Sequence, residues 1–138
     1  MAEVDAGQVG QVISNLVINA KQAMPDGGSV KISVSSFNNS SGDMPILDMA
    51  DYLKIKVIDD GGGIPKKNLE KIFDPYFTTK QEGNGLGLAT VFSIISKHDG
   101  LVTVYSKPGE GSEFTIYLPS SVEDIVKVKT VRLYSIKQ

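Results

Sequence analysis

A row of amide side chains on one predicted helix is the first candidate for chemistry. Asn15, Asn19 and Gln22 stand at positions i, i+4 and i+7, so they share one face of a helix. Asparagine costs about 0.7 kcal/mol relative to alanine inside a helix, and two aligned asparagines therefore need an explanation. A solvated helix face is one interpretation. The other is a set of neutral amides suited to phosphate oxygens and to a hard cation such as Mg²⁺.

A glycine-rich segment, Asp59-Asp60-Gly61-Gly62-Gly63-Ile64-Pro65, directly follows a predicted buried strand. Glycines allow the backbone to come close to a flat ligand at positions where side chains would clash. A carboxylate at the end of the strand, such as that of Asp59, can accept a hydrogen bond from an exocyclic amine. The alternative is a tight turn that ends at Ile-Pro, although three consecutive glycines exceed what such a turn requires.

A second glycine-rich segment, residues 83–88 (Gly-Asn-Gly-Leu-Gly-Leu), opens another predicted helix. Backbone N–H groups at a helix N-terminus form an anion site, and the helix dipole strengthens it. Lys80, which follows Thr78 and Thr79, could reach a terminal phosphate from a position just before this segment. A glycine-rich loop alone is a weak indication of a phosphate site, and Lys80 taken alone is better explained as a surface lysine.

Hydrophobic periodicity predicts the elements that must position these residues. Helices are predicted over residues 5–24 and 85–97, a short amphipathic segment over 66–73, and strands over 30–37, 52–58, 101–106 and 112–118. This order implies an α+β fold, a sandwich with the helices on one face of a mostly antiparallel sheet. The tail, residues 120–138, alternates apolar with basic or hydroxyl residues, which fits either an added strand or a linker.

Composition excludes several classes of function. Fourteen Lys+Arg against sixteen Asp+Glu give a net charge of −2, which disfavours binding of duplex nucleic acid through its phosphates. The lack of cysteine excludes disulfides, thiolate zinc sites and a cysteine nucleophile, and the one histidine excludes a histidine-rich metal site. No apolar run approaches the roughly 20 residues that span a bilayer, and no signal-peptide pattern opens the chain. A soluble domain compatible with a reducing compartment is expected.

Five segments in this order and spacing closely resemble the N, G1, F, G2 and G3 boxes of the ATP-binding domain of sensor histidine kinases. They are Asn-Leu-Val-Ile-Asn-Ala (15–20), Asp-Asp-Gly-Gly-Gly-Ile-Pro (59–65), Ile-Phe-Asp-Pro-Tyr-Phe-Thr-Thr-Lys (72–80), Gly-Asn-Gly-Leu-Gly-Leu (83–88) and Gly-Glu-Gly-Ser-Glu-Phe-Thr-Ile-Tyr-Leu-Pro (109–119). The resemblance extends over residues 8–119. It implies the two-layer α/β sandwich called the Bergerat fold, with a mostly antiparallel mixed sheet, in an ATP-binding catalytic domain over residues 1–119. The short loop between the F and G2 boxes looks most like the nitrogen-regulation type of kinase.

The resemblance also implies roles for individual residues. Asn19 matches the magnesium-ligating asparagine, and Asn15 matches its neighbour near the phosphates. Asp59 matches the aspartate that binds the adenine amino group, and Gly61 and Gly63 flank the adenine. The residues expected to contact ATP are Asn15, Asn19, Gln22, Asp59, Gly61, Gly63, Ile64, Thr79, Lys80, Gly85, Leu86, Gly87 and Leu88.

Part of this set belongs to a lid that covers the triphosphate in the family. By the resemblance, the lid residues are Lys80, Gly85, Leu86 and Gly87. The F box, with Phe73, Tyr76 and Phe77, anchors that lid. Ordinary core packing is the alternative for these aromatic residues, and for Phe73 it is the preferred interpretation.

By the same resemblance, the domain binds Mg·ATP and supplies the γ-phosphoryl group to a histidine on a separate helical-hairpin domain, in two-component signalling with a downstream response regulator. The hairpin is expected to precede this domain and to be absent from the chain. His98 is therefore expected to be structural rather than the phosphoacceptor. We expect a cytoplasmic domain that is monomeric alone and contacts neither nucleic acid nor membrane, although the parent protein could be membrane-anchored.

Two other functions share these motifs. GHKL relatives such as DNA gyrase, mismatch-repair ATPases and the large heat-shock chaperone hydrolyse ATP with water, and they carry a glutamate as general base one helical turn before the magnesium-binding asparagine. Here that position is Asn15, which favours a kinase. A non-catalytic nucleotide-binding or partner-docking module is the other alternative, although such domains usually lose motif residues that this chain retains. The chain departs from the family pattern at Gln22, in place of a basic residue, and at Asp60, in place of asparagine.

Overall fold

The computed structural model describes residues 6–48, 51–74 and 87–119. Its helices are α1 (Ala6–Gln22) and α2 (Gly87–Lys97), and its strands are β1 (Val30–Asn38), β2 (Asp51–Asp59), β3 (Leu101–Ser106) and β4 (Ser112–Pro119). The predicted amphipathic segment contains a short 3₁₀ helix, Lys66–Asn68, followed by turns. Neither helix of the described ranges has the length and apolarity needed to cross a membrane.

The four strands form one sheet in the order β1-β2-β4-β3, and the three pairings between them are antiparallel. β2 and β4 occupy the centre of the sheet. Their register sets Leu53 opposite Leu118, Ile55 opposite Ile116, Val57 opposite Phe114 and Asp59 opposite Ser112. Because successive side chains of a strand point to opposite faces, these pairs all lie on one face of the sheet. The predicted α+β architecture with a mostly antiparallel sheet is confirmed.

The main core lies between this face of the sheet and the two helices. On α1, Val9, Val12, Ile13 and Leu16 recur at intervals of three and four, and each is at most 7% exposed. On α2, the buried residues are Val91, Ile94 and Ile95. Each buried side chain of this size stabilises the fold by about 1.5–3 kcal/mol relative to an exposed one. Both helices therefore pack on the same face of the sheet, as predicted.

The opposite face of the sheet carries a smaller apolar cluster, which includes Leu47, Tyr52 and Tyr117. The connection between β1 and β2 contributes to this cluster and is organised by Asn39, a fully buried polar residue. The Asn39 amide nitrogen lies 3.0–3.2 Å from three carbonyl oxygens of the connection, and its Oδ1 accepts the backbone N–H of Met44 over 2.9 Å. A buried amide with these partners fixes the course of the connection.

A Schellman motif ends α2 and directs the chain into β3. The backbone N–H of Gly100 donates to the carbonyl oxygen of Ile95, and that of Asp99 donates to the carbonyl oxygen of Ser96. Asp99 occupies the left-handed position of the motif, with φ of +58°. His98 lies in the same turn, with Nδ1 2.7 Å from the carbonyl oxygen of Ile94. The ring therefore contacts the last turn of α2, and the structural role of His98 stays a prediction.

The two residues that end α2 should respond in opposite directions to substitution. Asp99→Gly removes a side chain from the left-handed conformation and should raise the free energy of unfolding by up to about 1 kcal/mol. Gly100→Ala should lower it by about 1–3 kcal/mol, because the added Cβ would overlap the carbonyl oxygen of Tyr117. Urea denaturation of both variants tests this. If the free energy of unfolding changes in the same direction in both variants, the Schellman motif assigned to Asp99 and Gly100 is contradicted.

Candidate nucleotide-binding site

Asp59 is the last residue of β2, and it is only 5% exposed. A carboxylate is rarely buried to this extent without hydrogen-bond partners. The backbone N–H of Gly61 is one such partner and donates to Oδ1 over 2.9 Å. By strand alternation, Asp59 lies on the helix-facing side of the sheet. It begins the segment that we call the glycine loop, residues 59–64.

The glycine loop lies against the C-terminal end of α1 and the start of β1. A Cβ on Gly61 would come within 2.7 Å of the carbonyl oxygen of Ala23, so the close approach requires glycine. Asp60 accepts two hydrogen bonds from Ser29, one from its backbone N–H over 3.0 Å and one from its hydroxyl over 3.2 Å. A Cβ on Gly28 would lie 2.5 Å from Oδ1 of Asp60. Asp60 therefore joins the start of β1 to the glycine loop.

These bonds determine the direction in which the Asp60 carboxylate points. The carboxylate faces Ser29 and is solvent-exposed. The backbone N–H of Ser29 has the largest effect on the Asp60 carboxyl and lowers its pKa below the usual value. Desolvation, the next largest effect, opposes this, and the Ser29 hydroxyl adds a smaller lowering. The replacement of asparagine by aspartate thus places its charge on the α1–β1 connection.

The β3–β4 turn, residues 107–111, packs backbone to backbone on the glycine loop. The backbone N–H of Gly109 donates to the carbonyl oxygen of Gly62 over 2.7 Å. A Cβ on Gly63 would overlap the carbonyl oxygen of Lys107, and a Cβ on Gly111 would overlap that of Asp59. Gly63 and Gly111 also have positive φ angles of +76° and +83°. A side chain at either glycine would push the turn and the loop apart.

The amide row of α1 lies beside the start of α2. Nδ2 of Asn15 donates to the carbonyl oxygen of Gly87 across 3.4 Å, a long hydrogen bond. Asn15, Asn19 and Gln22 are half-buried, so the row is not a fully solvated helix face. Leu88 packs against the main core one residue after Gly87. The structure therefore brings Asn15 and Gly87 together, two residues that the sequence assigned to the phosphate side of the site.

Several predicted site residues fall in a part of the chain that the structure does not describe. They are Thr79, Lys80, Gly85 and Leu86 of the predicted ATP contacts and Tyr76 and Phe77 of the predicted F box. Phe73 is described, and its ring centroid lies 5.7 Å from that of Phe92 and 6.4 Å from that of Phe114. Phe73 therefore packs on the main core, and the same holds for Ile64 of the glycine loop.

Two serines next to Asp59 and Ile64 were missed by sequence reasoning. Ser112 is the register partner of Asp59 on the neighbouring strand and is only 7% exposed. Oγ of Ser106 lies 2.7 Å from the backbone N of Ile64 and 2.9 Å from Oγ of Ser112. Ser112 shares one face of β4 with the apolar residues Phe114, Ile116 and Leu118, and a polar residue in line with them could have signalled it. Ser106 contacts a residue 42 positions away, so no local pattern could have revealed it.

Comparison with known proteins identifies the class to which this fold and site belong. The family described as "Histidine kinase-, DNA gyrase B-, and HSP90-like ATPase" matches residues 4–122. The chain belongs to this family, which confirms the resemblance to the ATP-binding domains of the GHKL superfamily.

Its curated relatives include sensor kinases. The chain is 40% identical over 130 residues to sensor kinase CckA of Brucella abortus (strain 2308), an alignment that covers 88% of this chain and 13% of CckA. It is 42% identical over 120 residues to sensor histidine kinase ZraS of Escherichia coli (strain K12), which covers 87% of this chain and 23% of ZraS. The chain thus spans less than a quarter of the length of either relative.

A solved structure supports the same fold. Full-length ShkA in complex with AMPPNP matches with a TM-score of 0.67 and 26% sequence identity, covering 82% of this chain and 21% of ShkA. The catalytic domain of histidine kinase ThkA also matches, with a TM-score of 0.65 and 33% sequence identity, covering 86% of this chain and 70% of that chain. The helices and the antiparallel sheet of this chain therefore have the arrangement of a known histidine kinase domain.

Asp60→Asn should lower stability at neutral pH in a way that depends on pH. The folded-state pKa of Asp60 lies below the unfolded-state value of about 4, so the carboxylate stabilises the fold above that value and the stabilisation is lost as the pH falls through the folded-state pKa. Urea denaturation should therefore give a difference in the free energy of unfolding, parent minus variant, that is constant from about pH 7 to pH 5 and shrinks below about pH 4.

Asp26→Asn is the matched control, because Asp26 is exposed in the neighbouring turn. Its free energy of unfolding at neutral pH should stay close to that of the parent protein. If the difference in the free energy of unfolding between the parent and Asp60→Asn stays constant down to about pH 2, the role of the Asp60 charge is contradicted.

Proposed function

We propose that this chain binds Mg·ATP and supplies the γ-phosphoryl group for phosphorylation of a histidine on a separate helical-hairpin domain in two-component signalling. The observation that carries the proposal is the buried carboxylate of Asp59, held at the end of β2 beside a loop of glycines. Membership of the ATPase and kinase family supports it, as do the similarities to the sensor kinases CckA and ZraS. The complex of ShkA with AMPPNP, an ATP analogue, supports the choice of nucleotide.

Asp59 suits recognition of adenine through its 6-amino group. An ionised carboxylate only accepts hydrogen bonds and offers roughly four acceptor positions, and the Gly61 N–H donates to one of its oxygens. An exocyclic amine is a donor and complements this carboxylate. Gly61 and Gly63 leave the backbone without side chains, so a flat base can approach it closely. Ile64, half-buried against the core, supplies apolar surface next to them.

The phosphate end of the proposed site lies where α1 meets the start of α2. The first backbone N–H groups of a helix have no partner within it, so those at the start of α2 suit phosphate oxygens. Asn15 contacts Gly87 there, and Asn19 lies one helical turn further along α1. The side-chain oxygen of Asn19 is a ligand of the type that Mg²⁺ accepts.

The donor set fits Mg²⁺ with few protein ligands. The described part of the chain contains no group of three or more His, Cys, Asp or Glu residues that could hold a metal ion. Mg²⁺ keeps several waters and is often bound through one or two side chains together with substrate phosphates. Asn19, phosphate oxygens and water make such a set. When bound, Mg²⁺ would neutralise charge that develops on the phosphates.

Asn15 favours transfer to a protein over hydrolysis. It occupies the position at which the hydrolases of the superfamily carry a glutamate, and a neutral amide is a poor general base for water. Phosphoryl transfer depends mainly on positioning and on electrostatic stabilisation, which a nucleotide-binding domain can supply. In this proposal the nucleophilic imidazole and its base come from the hairpin domain. His98 serves to close the end of α2 instead.

In this proposal, signal sensing and the phosphoacceptor histidine belong to other parts of a longer protein. CckA and ZraS are several times longer than the aligned region, which leaves room for an acceptor hairpin and for a sensing part. We assign contact with the response regulator to that acceptor domain. This domain is proposed to be a cytoplasmic monomer when isolated, and the nitrogen-regulation subtype stays a prediction.

Asp59→Asn should weaken ATP binding by about 10- to 100-fold, because it converts a charge-assisted hydrogen bond worth about 1.5–3 kcal/mol into a weaker one. Calorimetric titration with ATP and Mg²⁺ measures the change. Asp51→Asn is the matched control at the opposite end of β2, where Asp51 accepts a hydrogen bond from Asn38. A folded Asp59→Asn variant that binds ATP as well as Asp51→Asn would contradict the proposed base contact.

Asn19→Ala should remove the magnesium-dependent part of ATP affinity and leave the affinity measured without Mg²⁺ close to that of the parent protein. In a fusion with a helical-hairpin acceptor domain, the same variant should also lose transfer of label from γ-labelled ATP to the hairpin histidine. Gln11→Ala, exposed on the same helix, is the control and should retain both. Full labelling by Asn19→Ala would refute the metal assignment.

A further inference from the structure

Ser106 lies where three segments of the candidate site meet. Its Oγ is 2.7 Å from the backbone N of Ile64 in the glycine loop and 2.9 Å from the carbonyl oxygen of Gly111 in the β3–β4 turn. It is also 2.9 Å from Oγ of Ser112 at the start of β4. Starting from the function proposed above, we propose that Ser106 is a positioning residue that sets base specificity. Its hydrogen bonds leave only acceptors at the end of the site that binds the base. The site therefore selects 6-amino over 6-oxo purine nucleotides.

The chemistry of a hydroxyl fixes the direction of each bond. Ser106 has one O–H proton and two acceptor lone pairs. The N–H of Ile64 can only donate and the carbonyl of Gly111 can only accept, so Ser106 accepts the first bond and donates the second. Its remaining lone pair can be matched only by a donor, which the O–H of Ser112 supplies. Only this assignment of donors and acceptors makes all three contacts of Ser106 hydrogen bonds.

The arrangement determines what Ser112 offers to a ligand. Its proton is directed to Ser106, so its oxygen presents lone pairs in other directions. Ser112 is the register partner of Asp59, and residues directly opposite in an antiparallel pair have Cβ atoms about 4.5–5.5 Å apart. Both side chains are nearly buried. The end of the β2–β4 pair therefore places two acceptors, the Asp59 carboxylate and the Ser112 oxygen, next to each other.

Two adjacent acceptors discriminate between purines by the group on C6. A 6-amino group donates hydrogen bonds and matches them. A 6-oxo group is itself an acceptor, so it would leave buried acceptors facing one another without a proton between them, and such mismatches are costly. Removal of the Ser106 hydroxyl frees the Ser112 proton, which can then donate to a 6-oxo group. Specificity should therefore depend on a residue that does not itself contact the base.

Ser106 also fixes the position of the glycine loop. Its bond to Ile64 ties the end of the loop to β3, while the bond from Gly109 to Gly62 ties the middle of the loop to the β3–β4 turn. Without the Ser106 hydroxyl, the Ile64 N–H loses its protein acceptor. This local change can be measured in the absence of any nucleotide.

Titration with ATP and ITP tests the proposal, since the two nucleotides differ in carrying an amino group or an oxygen at C6. The ATP-over-ITP affinity ratio of the parent protein should fall about tenfold in Ser106→Ala, which corresponds to roughly one hydrogen bond. Ser106→Thr, which keeps the hydroxyl, should retain the ratio, and so should Ser35→Ala, an exposed serine of β1. An unchanged ratio in Ser106→Ala, including an equal loss for both nucleotides, overturns the proposal.

Two further measurements separate this proposal from the proposed function. A folded parent protein that binds neither nucleotide refutes the proposed function. Hydrogen exchange of the Ile64 amide in nucleotide-free protein should still be about tenfold faster in Ser106→Ala than in the parent, Ser106→Thr or Ser35→Ala. An Ile64 amide that exchanges at the same rate in Ser106→Ala and in the parent protein overturns the proposal. Should Ser106→Ala fail to fold in a thermal unfolding assay, Ser112→Ala removes one of the two acceptors and should lower the ATP-over-ITP ratio, and an unchanged ratio there overturns the proposal.

Discussion

The close approach of two backbone segments, the glycine loop and the β3–β4 turn, is the constraint on which the candidate site depends. Gly63 and Gly111 allow the approach because each lies where a Cβ would overlap a carbonyl oxygen of the facing segment. The two segments meet because the central strands β2 and β4 pair in a register that sets Asp59 beside Ser112. The apolar core that fixes this register therefore also fixes the position of the carboxylate.

The polar groups of the site occupy one end of the sheet for the same reason. Along β2 and β4, residues on the helix-facing side are apolar until the last pair, where Asp59 and Ser112 replace the hydrophobic partners. Polar groups buried at this depth must be hydrogen-bonded, and partners come from Gly61 in the glycine loop and from Ser106 at the end of β3. The glycines shape the loops, and the loops in turn satisfy the buried polar groups.

Sequence reasoning predicted the elements well because each leaves a local trace. The periodicity of α1 and the alternation of β2 depend only on neighbouring residues, and Asp59 was identified from its place after a strand and before glycines. The contacts of Asp60 with Ser29 and of Ser106 with Ile64 could not be predicted, because the two residues of each pair lie 31 and 42 positions apart. The left-handed conformation of Asp99 was also missed, because glycine is the residue expected in that conformation and Gly100 follows directly. Local patterns thus indicated which residues to consider, and the sheet register decided what they contact.

The strand order has a consequence for synthesis of the chain on the ribosome. β4 is the last of the four strands to be made, yet it lies between β2 and β3 in the finished sheet. Until it emerges, β2 lacks one neighbour, β3 has no partner among the described strands, and Asp59 lacks Ser112 beside it. Pairings between residues distant in sequence form late because closing a long loop costs entropy. The nascent chain therefore carries α1 and the glycine loop before the base end of the candidate site is complete, and Ser112 joins Asp59 only after β4 has emerged.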